Sequence, residues 1–249
     1  MLPLDLDVCQ KASRYAIRVC QEMTKRSSLI QELKNTDSVQ IPSFERDEIM
    51  PYLGEKLGKG GFNSVYELEK IELEKDRGGM SSSVYTHDQR DSRERVANNI
   101  HEKYAVKFLN ESAMSNSNEF CNGAADLLLE AKYLSALSNH PHNSIIKLHG
   151  VAAAGAAGFA TGQMGGYFLL VDRLYDTLDK RIDIWKELKR RKMKQLNNNT
   201  NVSENIKLLQ GLFLQRLQVA MDISSAIKHL HKLQIVFRDL VSKQHVWML

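Results

Sequence analysis

A chain of 249 residues has room for one large domain or two modest ones. With 43% hydrophobic and 26% charged residues it has the balance of an ordinary globular protein. A formal net charge of +4 is too small to demand a nucleic-acid partner, and no apolar run approaches the ~20 residues of a membrane helix.

The first stretch, residues 7–26, reads as a helix. Val8, Ala12, Tyr15, Val19 and Met23 recur at three- and four-residue steps and would share one face. Cys9 and Cys20 lie close to that stripe and read as small core residues. With Cys121 they make an odd set of three without metal-ligand spacing, which fits a reducing compartment and gives no metal site. The opening MLPLDLDVCQ carries two aspartates and no basic segment before an apolar run, so no signal peptide is read. The expected location is the cytoplasm, with the nucleus as the alternative.

Pro42 and Pro51 bracket a charged segment, and after Tyr52 the pattern changes to short apolar runs. Leu57 to Leu68 suits two strands joined by a glycine turn, LGKGGFNSVY. Residues 69–101 are highly charged and read as a long mobile insertion. Tyr104 to Leu109, YAVKFL, is a strand with Lys107 at its centre. Asp126 to Leu137 is a helix with Leu127, Ala131 and Leu134 on one face and Glu130 at its border. Ile145 to His149 and Tyr167 to Val171 are further strands. The Ala/Gly-rich residues 151–166 between them read as a loose connection. Two helices follow, around Thr177 to Lys194 and Ile206 to Lys232. In the second, Phe213, Leu217, Ala220, Ile223, Ile227 and Leu230 keep helical spacing. Strands followed by helices predict an α+β fold. His140, His142 and His149 read as turn and strand residues. The basic run Lys189 to Lys194 reads as a solvated insertion between two helices, with a nuclear localisation patch as the rival.

A glycine turn between strands bares backbone N–H groups and lets the main chain approach a ligand, most often a phosphate. Alone it is a weak signal. A lysine inside an apolar strand adds to it, because a buried ammonium needs an anionic partner. Glu130 supplies a carboxylate on the following helix. A strand lysine paired to a helix glutamate beside a glycine hairpin is a phosphate-positioning device.

At this point the chain resembles the eukaryotic protein kinase family, of serine/threonine type. LGKGGFNSVY resembles the Gly-rich loop, with Asn63 where the third glycine usually stands. YAVK, ending at Lys107, resembles the strand-lysine motif, and Glu130 in LLLEAKYL the αC helix glutamate. Phe237-Arg238-Asp239-Leu240 resembles the catalytic-loop HRDL, with Phe for His. YFLLVDRL resembles the strand and hinge beside adenine. The resemblance implies a kinase-like fold: an N-lobe antiparallel sheet with the αC helix over residues 52–174, a partial helical C-lobe over 175–249, insertions at 69–101 and 151–166, and an N-terminal helical extension over 1–51.

It also implies ATP, with Mg²⁺, as the ligand. Leu57, Gly58, Lys59, Gly60, Gly61, Phe62, Asn63, Ser64 and Val65 would cover the phosphates. Lys107 paired with Glu130 would hold them. Val65 and Ala105 would flank the adenine, Val171 would stand at the gatekeeper position, and Asp172 and Leu174 would belong to the hinge. Asp239 would be the base, and a protein serine or threonine the acceptor.

The departures cluster at the end. Gln244 stands where the metal-holding Asn is expected, Val241 and Ser242 replace the usual lysine and proline, and no DFG or APE follows before Leu249. The expectation is a truncated kinase domain with little or no transfer activity and an exposed apolar face on its last helix. The alternative is a non-catalytic pseudokinase or scaffold, recognisable by nucleotide binding that is indifferent to Mg²⁺.

Overall fold

The computed structural model describes residues 5–32, 40–73, 85–99, 103–197 and 202–236. Their elements, in chain order, begin with helices α1 (Leu6–Thr24) and α2 (Ser28–Glu32), strand β1 (Ser43–Phe44), helix α3 (Arg46–Ile49) and a 3-10 turn, Met50–Tyr52. Strands β2 (Leu53–Lys59) and β3 (Asn63–Leu68) form the glycine hairpin. Helix α4 (His87–Ala97), strand β4 (Tyr104–Leu109) and helices α5 (Glu111–Met114) and α6 (Ser117–Leu137) follow. Then come β5 (Leu148–Ala152), α7 (Ala157–Ala160), β6 (Phe168–Asp172), α8 (Leu178–Asn197) and α9 (Val202–Lys232). The chain is α+β.

The six strands make one mixed sheet in the order β1-β5-β6-β4-β3-β2. Strands β2 to β6 pair antiparallel, as expected for this region, and the two-residue β1 adds a parallel edge against β5. The chain divides into two compact units. The first comprises residues 1–141 and 146–173, and the second 142–145 and 174–249.

In the first unit, β4 and β6 are buried nearly end to end. Val106, Phe108, Phe168, Leu169 and Leu170 are essentially inaccessible, together with Phe44, Ile49, Phe120 and Leu127. The N-terminal residues are part of this core: α1 packs along α6 and α7, and Ser13 Oγ donates to Ala156 O at 2.8 Å. The buried face of α1 is Cys9, Ala12, Ser13, Ala16, Cys20 and Thr24, one position off the expected stripe, and Met23 is 60% exposed. Small side chains let the helix approach α6 closely, and that outweighs the larger apolar residues beside them. All three cysteines are buried free thiols. Burial pushes the Cys9 and Cys20 thiols above their usual range.

Two segments read as loose are folded. Strand β5 runs three residues beyond its predicted end because Val151 N–H donates to Pro42 O and Ala153 N–H to Phe44 O, at 3.1 and 2.8 Å. Past it, α7 is pinned by the Phe159 ring, 4.6 Å from that of Tyr167, and by direct contact between the Gly158 and Gly166 backbones, which any side chain would block. Within 69–101, α4 starts at a Thr86–Gln89 capping box. It carries Arg93, whose guanidinium bonds both oxygens of Glu48 at 2.6 and 2.7 Å and also donates to Ser43 O. Both charges are buried.

In the second unit, α8 and α9 pack together. Trp185 is buried, its Nε1–H donates to Gln215 Oε1 at 3.3 Å, and Arg216 lies over its ring. The apolar face of α9 is largely uncovered, as expected for the last helix: Phe213 and Leu217 are 65% and 46% exposed.

Candidate functional site

Strand register assembles most of the predicted residues. Gly58 stands opposite Val65, and Val65 opposite Lys107, so one row crosses three strands. Two residues along, Ala105 stands opposite Val171. Side chains alternate faces along a strand and directly paired residues share one. Val65, Ala105, Lys107 and Val171 therefore lie on one face of the sheet.

Helix α6 meets that face. Asn116 caps its first turn by accepting from the N–H groups of Asn118 and Glu119. The helix begins nine residues before the predicted Asp126. It presents Glu130 to Lys107, whose ammonium donates to both carboxylate oxygens at 2.8 and 2.6 Å. The two side chains are 25% and 28% exposed, so the pair is partly open to solvent. Asp126, one turn earlier, is a second carboxylate at this position. The protein around it pushes its carboxyl above the usual range, the Glu130 charge adds to this, and Lys107 opposes it. Its i, i+4 spacing from Glu130 was the signal for it.

The glycine turn closes with Gly60 N–H donating to Asn63 O at 2.8 Å. Lys59, Gly60 and Gly61 are exposed, Leu57, Gly58, Phe62, Asn63 and Val65 half-buried, and Ser64 buried. The Phe62 side chain lies against α6 at Gly123, where an added Cβ would come within 2.8 Å of Phe62 Cβ and of Leu109 Cδ2. Gly60 and Gly61 have neither left-handed backbone nor close neighbours. Steric need inside the protein does not explain them. They leave a bare strip of backbone.

Asp172 is occupied. Its carboxylate accepts from His149 Nε2 at 2.5 Å and Lys147 N–H at 2.7 Å. Burial raises its pKa, but these bonds and charges outweigh that and hold it below the usual range. Leu174 belongs to the second unit. Asp239, with Phe237, Arg238, Leu240 and Gln244, lies outside the described residues.

A cationic side chain beside a bare glycine backbone has the donor set that suits a polyphosphate. The described residues contain no group of three or more His, Cys, Asp or Glu able to hold a metal ion. Among the described residues, no helix is long and apolar enough to cross a membrane. No protein-family model and no curated protein matches the chain.

Proposed function

We propose that the first unit is the nucleotide-binding lobe of a protein kinase-like domain, taking ATP beneath the glycine turn. The observation that carries this reading is the two-pronged Lys107–Glu130 ion pair, set in one register row with Val65 and Gly58. Glu130 keeps the ammonium of Lys107 placed over the sheet, where it would meet the α- and β-phosphates. The turn would donate backbone N–H groups, and Val65, Ala105 and Val171 would offer an apolar surface to the adenine. Bound ATP with Mg²⁺ would supply the transferable phosphoryl group. Asp239, from its motif, is the residue proposed to accept the proton of a serine or threonine hydroxyl.

The test is ATP binding by calorimetry to the full chain and to Lys107→Met and Glu130→Gln. Micromolar to millimolar binding that falls at least tenfold in Lys107→Met supports the reading; equal binding in both proteins overturns it.

A second reading, a non-catalytic interaction module, is favoured by the exposed residues of α9. Phe213, Leu214 and Met221 are 65%, 61% and 57% exposed, a patch of the kind that marks interaction surfaces. Mg²⁺ separates the two. A catalytic domain binds ATP much more tightly with the metal; the interaction module binds it alike with and without.

A further inference from the structure

We infer that Asn110 is a positioning residue that turns the glycine loop's amide N–H groups outward to receive phosphate, an inference that rests on the nucleotide reading above.

Asn110 follows β4 directly and is buried. Its side chain faces two ways. Oδ1 accepts from Ala113 N–H at 2.8 Å and Ser112 Oγ at 2.7 Å, capping α5. Nδ2 donates to Gly60 O at 3.3 Å and Gly61 O at 3.2 Å. Its backbone N–H donates to Phe62 O at 2.8 Å. One residue thus gathers three consecutive carbonyls of the turn.

In a planar trans peptide the carbonyl and the following N–H point in opposite directions. With the carbonyls of Gly60, Gly61 and Phe62 turned to Asn110, the N–H groups of Gly61, Phe62 and Asn63 turn away from it. Consecutive N–H groups on one side of a turn form an anion-receptive concavity. Without the Asn110 side chain the Gly60 and Gly61 carbonyls lose their tether and those peptides are free to flip, while Phe62 O keeps its bond to the backbone N–H of residue 110. Either flip would aim a carbonyl oxygen at the phosphates. The absence of crowding at Gly60 and Gly61 makes such flips easy, so a tether is required where the loop is barest.

Two variants separate the tether from the cap. Asn110→Ser keeps a capping oxygen but cannot reach both carbonyls; Asn110→Ala loses both functions. ATP, inorganic tripolyphosphate and adenosine are titrated into the full chain and each variant. Amide hydrogen exchange of residues 60–63 is followed in parallel. The expected result is that both variants bind ATP and tripolyphosphate about tenfold more weakly, bind adenosine unchanged, and exchange faster in the turn, while only Asn110→Ala melts lower. Phosphate binding in Asn110→Ser equal to that of the parent, an equal loss for adenosine, or unchanged exchange in the turn overturns the role. If the parent chain binds neither ATP nor tripolyphosphate, the nucleotide reading falls and takes this role with it, whereas failure confined to the variants leaves that reading intact.

Discussion

The two units bury their apolar residues very differently. Among the described residues, every buried large apolar side chain except Trp185 belongs to the first unit. The second unit instead exposes Ile184, Leu188, Ile206, Leu208, Phe213, Leu214, Leu217 and Met221. Both contain well-patterned amphipathic helices. In the first, α6 lies between α1 and the sheet; in the second, α8 and α9 have chiefly each other. Two helices pressed together can bury only one stripe each, and a wider apolar face remains uncovered. Helical periodicity thus tells which residues share a face, and it is silent on whether anything covers that face.

This contrast can be broken by mutation. The largest loss is expected from Arg93→Met, which strands the buried Glu48 carboxylate without its partner and should cost roughly 3–5 kcal/mol. Phe168→Ala, at an inaccessible position on β6, should cost about 3–5 kcal/mol through its cavity. Both losses should appear in hydrogen exchange of the first unit, which has no tryptophan. Emission from Trp185, in the second unit, should report them far less.

Asp172→Asn should cost about 1 kcal/mol at neutral pH. The carboxyl is held below its usual value of 3.8, so its contribution is present above that pH and is lost as pH falls through the lower folded value. Denaturation curves of parent and variant should therefore draw together only as pH falls below the usual 3.8, and meet below the lower folded value. A gap that persists there would assign Asp172 a role independent of its charge. Smallest of all, Phe213→Ser on α9 should change stability by no more than about 0.5 kcal/mol. A loss above 2 kcal/mol would mean that this face is covered in solution.

Strand β4 was legible to the residue, because an apolar run containing one lysine has few other readings. The Lys107–Glu130 pair was legible for the same reason: a charge in such a strand requires a partner, and the next helix offered one. What escaped was set by contacts distant in sequence. The buried face of α1 was decided by how closely α6 could approach, which period alone does not encode. The parallel strand β1 is two residues long, too short for any pattern. Helix α4 carries so few apolar residues that composition masked it; its anchor is the Arg93–Glu48 ion pair across 45 positions. Asn110 lies just past the predicted strand end at Leu109 and carries no motif, and its role in the turn depends on where Gly60 and Gly61 lie in space.

The docking of Phe44 against β5 has a consequence for how the protein is made. A ribosome delivers α1 and Phe44 long before their partners on α6 and β5 exist. At about 5–20 residues per second, the 108 residues from Phe44 to Ala152 take roughly 5–20 s. Until α6 has been made the apolar face of α1 has no native surface to cover it, and the Phe44 ring waits longer still, for β5. The first 44 residues, under a fifth of the chain, therefore wait for partners made from its middle before their apolar side chains can be covered.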